Sequence, residues 1–144
     1  MSQRVVGYYP DWMRNDFPPV YLDLDVLTHV NHAFAWPDVN GNIMSYDNMF
    51  NISNSGIIHK KFILSLGGWG NDQGFVAVAA SAELRQTFIN NLLDVCDEYG
   101  YDGVDLDWEY PQSSTDRNNL NLLVSEMDSM FHTHDSTLLI TMAV

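Results

Sequence analysis

The stretch from Tyr101 to Pro111, YDGVDLDWEYP, limits what this chain can be more than any other. Asp105, Asp107 and Glu109 stand at i, i+2 and i+4, with Val104, Leu106 and Trp108 between and before them. A period of two belongs to a β-strand, here with one acidic and one apolar face. Same-face side chains on a strand recur every ~6.5–7 Å, so three carboxylates in such a row repel one another. Where they are buried, at least one must keep its proton to a higher pH. Alternation alone leaves three readings open: a solvated strand face, a site for a hard cation such as Mg²⁺ or Ca²⁺, or a row set up for general acid catalysis. The flanks favour the last. Trp108 and Tyr110 offer flat apolar surface that suits a sugar ring. Pro111 has no N–H to donate and ends the strand, which leaves Glu109 at the C-terminal end, where parallel α/β folds carry their sites.

The rest of the chain predicts what surrounds that strand. Arg4 to Pro10 reads as a short buried strand, Asp11 to Pro19 as a loop, and Val20 to Leu27 as a short helix. Thr28 to Trp36 reads as a second strand, followed by a turn from Pro37 to Asn42. Ile43 to Lys60 is the least periodic part and reads as a loop with a weak helix. Lys61 to Leu66 is a third strand that runs into Gly67-Gly68. A helix begins at the N-cap Ser81, with Glu83 in its first turn, and stops at Gly100. Leu84, Phe88, Leu92, Cys96 and Tyr99 line one of its faces. The acidic stretch is the fourth strand. A second helix spans Thr115 to His132, striped by Leu120, Leu123, Met127 and Met130, and Thr137 to Val144 is a fifth strand. Strands alternate with helical segments, and no tight hairpin is expected between consecutive strands. The pattern predicts an α/β fold: one domain over residues 1–144, with a parallel sheet of right-handed βαβ units.

Composition excludes several classes. The chain has 144 residues, enough for one modest core, and carries six basic residues against nineteen acidic, a net charge of −13. Lys60-Lys61 is the only adjacent basic pair, so neither nucleic acid nor an anionic membrane surface is an expected partner. No apolar run approaches the ~20 residues that span a bilayer. A neutral or cationic polysaccharide is compatible with the charge, although the charge does not itself point to one. Cys96 is the only cysteine, which rules out an internal disulfide and a thiolate metal site; it reads as a small core residue. His29 and His32 flank Asn31, while His59, His132 and His134 lack ligand spacing and are expected to face solvent, so neither metal nor cofactor is expected. Met1-Ser2-Gln3-Arg4 leads straight into a strand, with no secretory leader expected.

Asp102-Gly103-Val104-Asp105-Leu106-Asp107-Trp108-Glu109 resembles the DGxDxDWE signature of glycoside hydrolase family 18, the chitinases and their relatives. Ser65-Leu66-Gly67-Gly68 resembles the family's upstream SxGG motif, in the right order and at a fitting distance. The resemblance implies parallel βα units of a (β/α)₈ barrel, truncated after the fifth strand. It also implies retaining hydrolysis of β-1,4 bonds in chitin or other N-acetylglucosamine oligosaccharides, with the substrate's own acetamido group as nucleophile. Glu109 matches the general acid, Asp107 the residue that holds the acetamido N–H, and Asp105 its deeper partner. Tyr8 and Phe34 match positions that line the sugar pocket, with a core aromatic as the alternative for each. Ser65 is placed to hydrogen-bond Asp105. Gly68 and Trp69 are expected at the mouth, where Trp69 stacks on a sugar ring or caps the core; Trp108 and Tyr110 flank the acid. At the His32 position the family often has an aromatic residue. The family's tyrosine from a sixth strand and tryptophan from an eighth have no counterpart in this stretch. The alternatives are non-catalytic, lectin-like binding of chitin or its oligosaccharides, and an inactive barrel fragment. The sheet is then expected to have two open edges and an uncovered inner face, closed by self-association or by the C-terminal half of a longer protein. The resemblance would place that protein outside the cell.

Overall fold

The computed structural model describes residues 3–47, 49–50 and 60–144. The loop and weak helix expected between Ile43 and Lys60, and the position of His59, fall largely or wholly outside those residues. Among the described residues, six strands make one sheet: β1 (Val6–Pro10), β2 (His29–Pro37), β3 (Ile43–Ser45), β4 (Lys61–Gly67), β5 (Gly103–Asp107) and β6 (Leu139–Met142). Five run parallel in the order β1-β2-β4-β5-β6, the expected α/β arrangement.

The short β3 departs from the expectation. It pairs antiparallel with Ala35 to Pro37 of β2, so a hairpin does join consecutive strands. Its turn is closed by Asp38, whose carboxylate accepts the backbone N–H groups of Asn40 and Asn42. Side-chain closure of this kind is what makes Asp an effective turn former. A second departure lies between β1 and β2. The helix expected over Val20 to Leu27 is only a 3₁₀ turn at Pro19–Tyr21.

Among the described residues, three α-helices cover one face of the sheet: α1 (Gln73–Ala80), α2 (Ala82–Tyr99) and α3 (Ser114–His134). α1 carries no periodic sequence signal, because it is short and apolar nearly all round. α2 begins where Ser81 accepts the N–H of Leu84 and ends at Gly100, in the left-handed conformation. α3 starts with a reciprocal capping box between Ser113 and Asp116. His132 and His134 lie exposed near its end, paired with Asp128 and Asp97.

The core sits between the helices and the outward face of the sheet. Tyr9, Val30, Phe62, Leu64, Leu66, Val104 and Leu106 meet Phe75, Phe88, Leu92, Cys96, Leu123 and Phe131 there. Each such apolar side chain contributes roughly 1.5–3 kcal/mol on full burial. Burial also pushes the Cys96 thiol up to about 12, so it behaves as a small inert core group. Buried Arg85 stands on the same face of α2 and forks onto Glu126 of α3 at 2.9 and 2.8 Å.

The opposite face carries Tyr8, Asn31, Ala33, Ile63, Ser65, Asp105 and Thr141, as the parallel register requires. It is not the uncovered face expected from the sequence. Asn31, Ala33, Ile63, Ser65 and Asp105 are all buried. Curvature explains this. Three strand spacings separate β1 from β5, about 14 Å on a flat sheet, where facing side chains stand side by side. Yet Tyr8 on β1 hydrogen-bonds Asp105 on β5 at 2.7 Å. The sheet therefore curls around this face, as barrel strands do.

Candidate active site

The acidic row begins deep in the curled sheet. Asp105, only 2% exposed, accepts the Tyr8 hydroxyl at 2.7 Å and the Ser65 hydroxyl at 3.0 Å on Oδ2, and Thr141 at 2.5 Å on Oδ1. Register alone brings two of these together, since Ser65 and Thr141 are the direct neighbours of Asp105 on β4 and β6. Three donors to one carboxylate fix its orientation. Burial, and then the hydrogen bond to Asp105, raise the Tyr8 phenol to about 12, so it remains a donor.

Asp107 follows at the end of β5, half-buried. Burial, then Glu109, then Asp105 raise its carboxyl above the ordinary aspartate range. This is the elevated carboxyl that the i, i+2, i+4 spacing demands. Glu109 lies two residues past the end of β5, nearer the open side. Its carboxylate bonds the neighbouring Tyr110 hydroxyl, which raises that phenol. Asp102, at the other end of the strand, serves the fold: it pairs with Lys61 at 2.7 Å and accepts the Phe62 N–H at 2.9 Å.

Two glycines let the neighbouring loop close on the row. A Cβ on Gly67 (φ 114°) would fall 2.3 Å from the Asp107 carbonyl oxygen, and one on Gly68 (φ 78°) would fall 2.6 Å from the Phe34 ring. Phe34 reaches that place through a β-bulge. Ala33 pairs with Ser65 and Ala35 with Leu66, so Phe34 is the extra residue, released from strict alternation. The peptide bonds before Phe34 and Tyr110 are cis. Trp69, on the next residue of the loop, is 81% exposed, and Tyr110 is exposed beside Glu109.

Trp108 corrects an expectation. It is only 7% exposed and stacks on Phe75 at 5.6 Å, within the helix-side core. As the odd member of a period-two row it faces away from the carboxylates, so it does not line the cleft.

Two groups escaped sequence reasoning. Trp12, in the turn after β1, stacks on Phe34 at 6.0 Å and meets Tyr46 edge-on, and Tyr46 in turn meets Trp36 at 5.2 Å. These rings form a partly exposed aromatic band beside the acidic row, drawn from three segments with no common sequence signal. The second group is buried. His32 Nε2 lies 2.9 Å from Asp11 Oδ1 and Nδ1 lies 2.8 Å from the Tyr101 hydroxyl. Arg14 also bonds Asp11 and donates to the Met49 carbonyl. The buried site and Arg14 lower the His32 pKa, partly offset by Asp11. The neutral ring fits: it donates to Asp11 and accepts from Tyr101. This network anchors the turn that carries Trp12.

The curled parallel sheet carries the clamped acidic row at the C-terminal ends of its strands, where parallel α/β folds hold their sites. The family model described as "Glycosyl hydrolases family 18" matches residues 4–144, and the chain belongs to that family. Among curated relatives, a class V chitinase of Medicago truncatula (CHIT5a) is 35% identical over 83% of this chain and 33% of its own length. Nod factor hydrolase protein 1 of the same plant is 31% identical over 99% of this chain and 42% of its own. The chain thus spans between a third and somewhat over two fifths of these relatives. Among solved structures, a Glu-to-Gln mutant of the class V chitinase of Nicotiana tobaccum, in complex with NAG4, superimposes with a TM-score of 0.87. It is 25% identical, over 96% of this chain and 43% of that one. The GH18 chitinase of Cycas revoluta in complex with (GlcNAc)₃ gives 0.88 and 26%, over 96% and 45%.

Proposed function

We propose that this chain carries the acid-bearing part of a chitinase that hydrolyses β-1,4 bonds between N-acetylglucosamine units with retention. The observation that supports it most is the graded row: Asp105 clamped by three hydroxyl donors, Asp107 raised by burial and then by its acidic neighbours, and Glu109 beyond the end of the strand. Relatives named as chitinases, with N-acetylglucosamine oligosaccharides bound in the solved ones, support the substrate class.

In this reading Glu109 gives its proton to the glycosidic oxygen. The acetamido carbonyl oxygen of the bound sugar attacks the anomeric carbon, and the bond to the leaving oxygen breaks. Asp107 accepts a hydrogen bond from the acetamido N–H and steadies the oxazolinium ion. Glu109, now a carboxylate, takes a proton from water as that water opens the ring. Tyr8, Ser65 and Thr141 keep Asp105 oriented at the base of the row, a fixed arrangement that costs nothing to reorganise during the reaction. Phe34, Gly68, Trp69 and Tyr110 shape the sugar-facing wall.

The test is fluorophore release from a chitobiose glycoside at mildly acidic pH, comparing the chain with Glu109→Gln. Release that the substitution abolishes is expected. Retained binding of chito-oligosaccharide without any release from either protein would favour a lectin-like role instead.

A further inference from the structure

We infer that His32 is a positioning residue for the sugar-facing wall, acting on Phe34 through Asp11 and Trp12. What that wall holds rests on the reading of the acidic row given above. His32 and Phe34 are two residues apart on β2 and meet opposite sides of the sheet. The His32 ring is fully buried on the helix side, stacked on Phe62 at 5.4 Å and beside Tyr9 at 5.8 Å. Phe34 is the bulged residue, half-buried on the cleft side. A bulged residue is left out of the ladder, so side-chain contacts decide where its ring lies.

That ring meets Tyr8 at 6.4 Å, Trp12 at 6.0 Å and the backbone of Gly68. Tyr8 is fixed by its bond to Asp105, and Gly68 by its N–H on the Asp107 carbonyl at 2.8 Å. Trp12 is 55% exposed, so burial does little to hold it. Its place is set by the 3₁₀ turn Asp11–Met13 that carries it. This turn straddles the strand ends: Asp11 is buried against His32 on the helix side, while Trp12 lies on Phe34 on the other. With the Tyr101 hydroxyl donating to Nδ1, the neutral imidazole carries its hydrogen on Nε2, the atom that faces Asp11. Arg14 ties Asp11 to the turn itself and to the Met49 carbonyl, whereas His32 ties it to the sheet. β2 thus grips the turn twice, by His32 behind the sheet and by Phe34 in front of it. A turn that shifts carries the Trp12 ring with it and frees the Phe34 ring to follow, and displacements of about 1 Å are enough to be felt at a reacting centre.

The test compares the wild type with His32→Phe, His32→Gln and Asp11→Asn, by one readout without sugar and one with it. His32→Phe keeps a ring and removes the bond. The glutamine amide replaces Nε2 as donor. Asp11→Asn weakens the same link from the turn's side and serves if His32→Phe does not fold, which thermal unfolding shows. Without sugar, the indole N–H magnetic resonance signal of Trp12, identified by its absence from Trp12→Phe, is expected to shift in His32→Phe and Asp11→Asn and to return in His32→Gln. On a chitobiose glycoside, the first two variants should raise KM about three- to tenfold with kcat nearly unchanged, because the wall holds the sugar before and during the reaction alike. In a Trp12→Ala background, His32→Phe should add little to KM. An unmoved indole signal, or an equal rise in KM with and without the Trp12 ring, would overturn the positioning role and leave the acidic row intact. No release by the wild type, with the indole signal shifted, would overturn the reading of the row and uphold the link from His32 to Trp12.

Discussion

Tyr8 donates its hydroxyl to Asp105 at 2.7 Å, although the two residues lie on β1 and β5 with two strands of the sheet between them. That bond reports the curl of the sheet and holds the deepest carboxylate of the row. Tyr8→Phe removes one of the three donors to Asp105 without removing the ring. The expected result is a fall of about ten- to a hundredfold in kcat/KM on a chitobiose glycoside, with a stability loss of only about 1 kcal/mol. Steady-state kinetics and urea unfolding of the variant check the two halves together.

Asp107 is held in an environment that favours its neutral form. With its pKa raised by folding, the carboxyl favours the fold below the ordinary aspartate range, and that contribution is lost as pH rises through the folded value. Asp107→Asn removes the penalty of ionisation. The unfolding temperature of the variant should exceed that of the wild type at pH 7, with the difference shrinking toward pH 3, while hydrolysis is strongly reduced. A difference that grows on acidification would reverse the assignment.

Gly67 faces backbone, and Gly68 faces a side chain. Gly67→Ala would press its Cβ onto the Asp107 carbonyl oxygen at a φ of 114°, with no flexible group to yield. It should cost about 3 kcal/mol or more. Gly68→Ala displaces the Phe34 ring and should cost less, about 1–2 kcal/mol, but should weaken sugar binding. Chemical denaturation of the two variants side by side orders them.

His32 is buried between Asp11 and Tyr101. His32→Phe keeps the stacking on Phe62 and leaves the Asp11 and Tyr101 oxygens each short of a partner. A destabilisation of about 2–3 kcal/mol is expected. Because burial and Arg14 lower the folded pKa of His32, its contribution is complete above about pH 6.5 and is lost as pH falls below that value. The acid limb of the stability profile should therefore be shallower just below that pH in the variant, as unfolding across a pH series would measure.

The period-two row, the helix caps at Ser81 and Gly100 and the strand–helix alternation were all local, and among the described residues local patterns placed five of the six strands and two of the three α-helices. The i, i+2, i+4 carboxylates and their mutual repulsion were equally explicit in Asp105, Asp107 and Glu109. Trp108 reads as a cleft residue only from its flat ring beside the acid; the same period of two turns it away from the carboxylates, and the core claims it against Phe75. Local periodicity could not register the bulge that frees Phe34, because a bulge is a mismatch between two strands and neither strand alone contains it. Nor could it pair Arg85 with Glu126, His32 with Asp11 and Tyr101, or Tyr8 with Asp105. Those partners are set by strand order and sheet curvature, which arise when distant segments pack together.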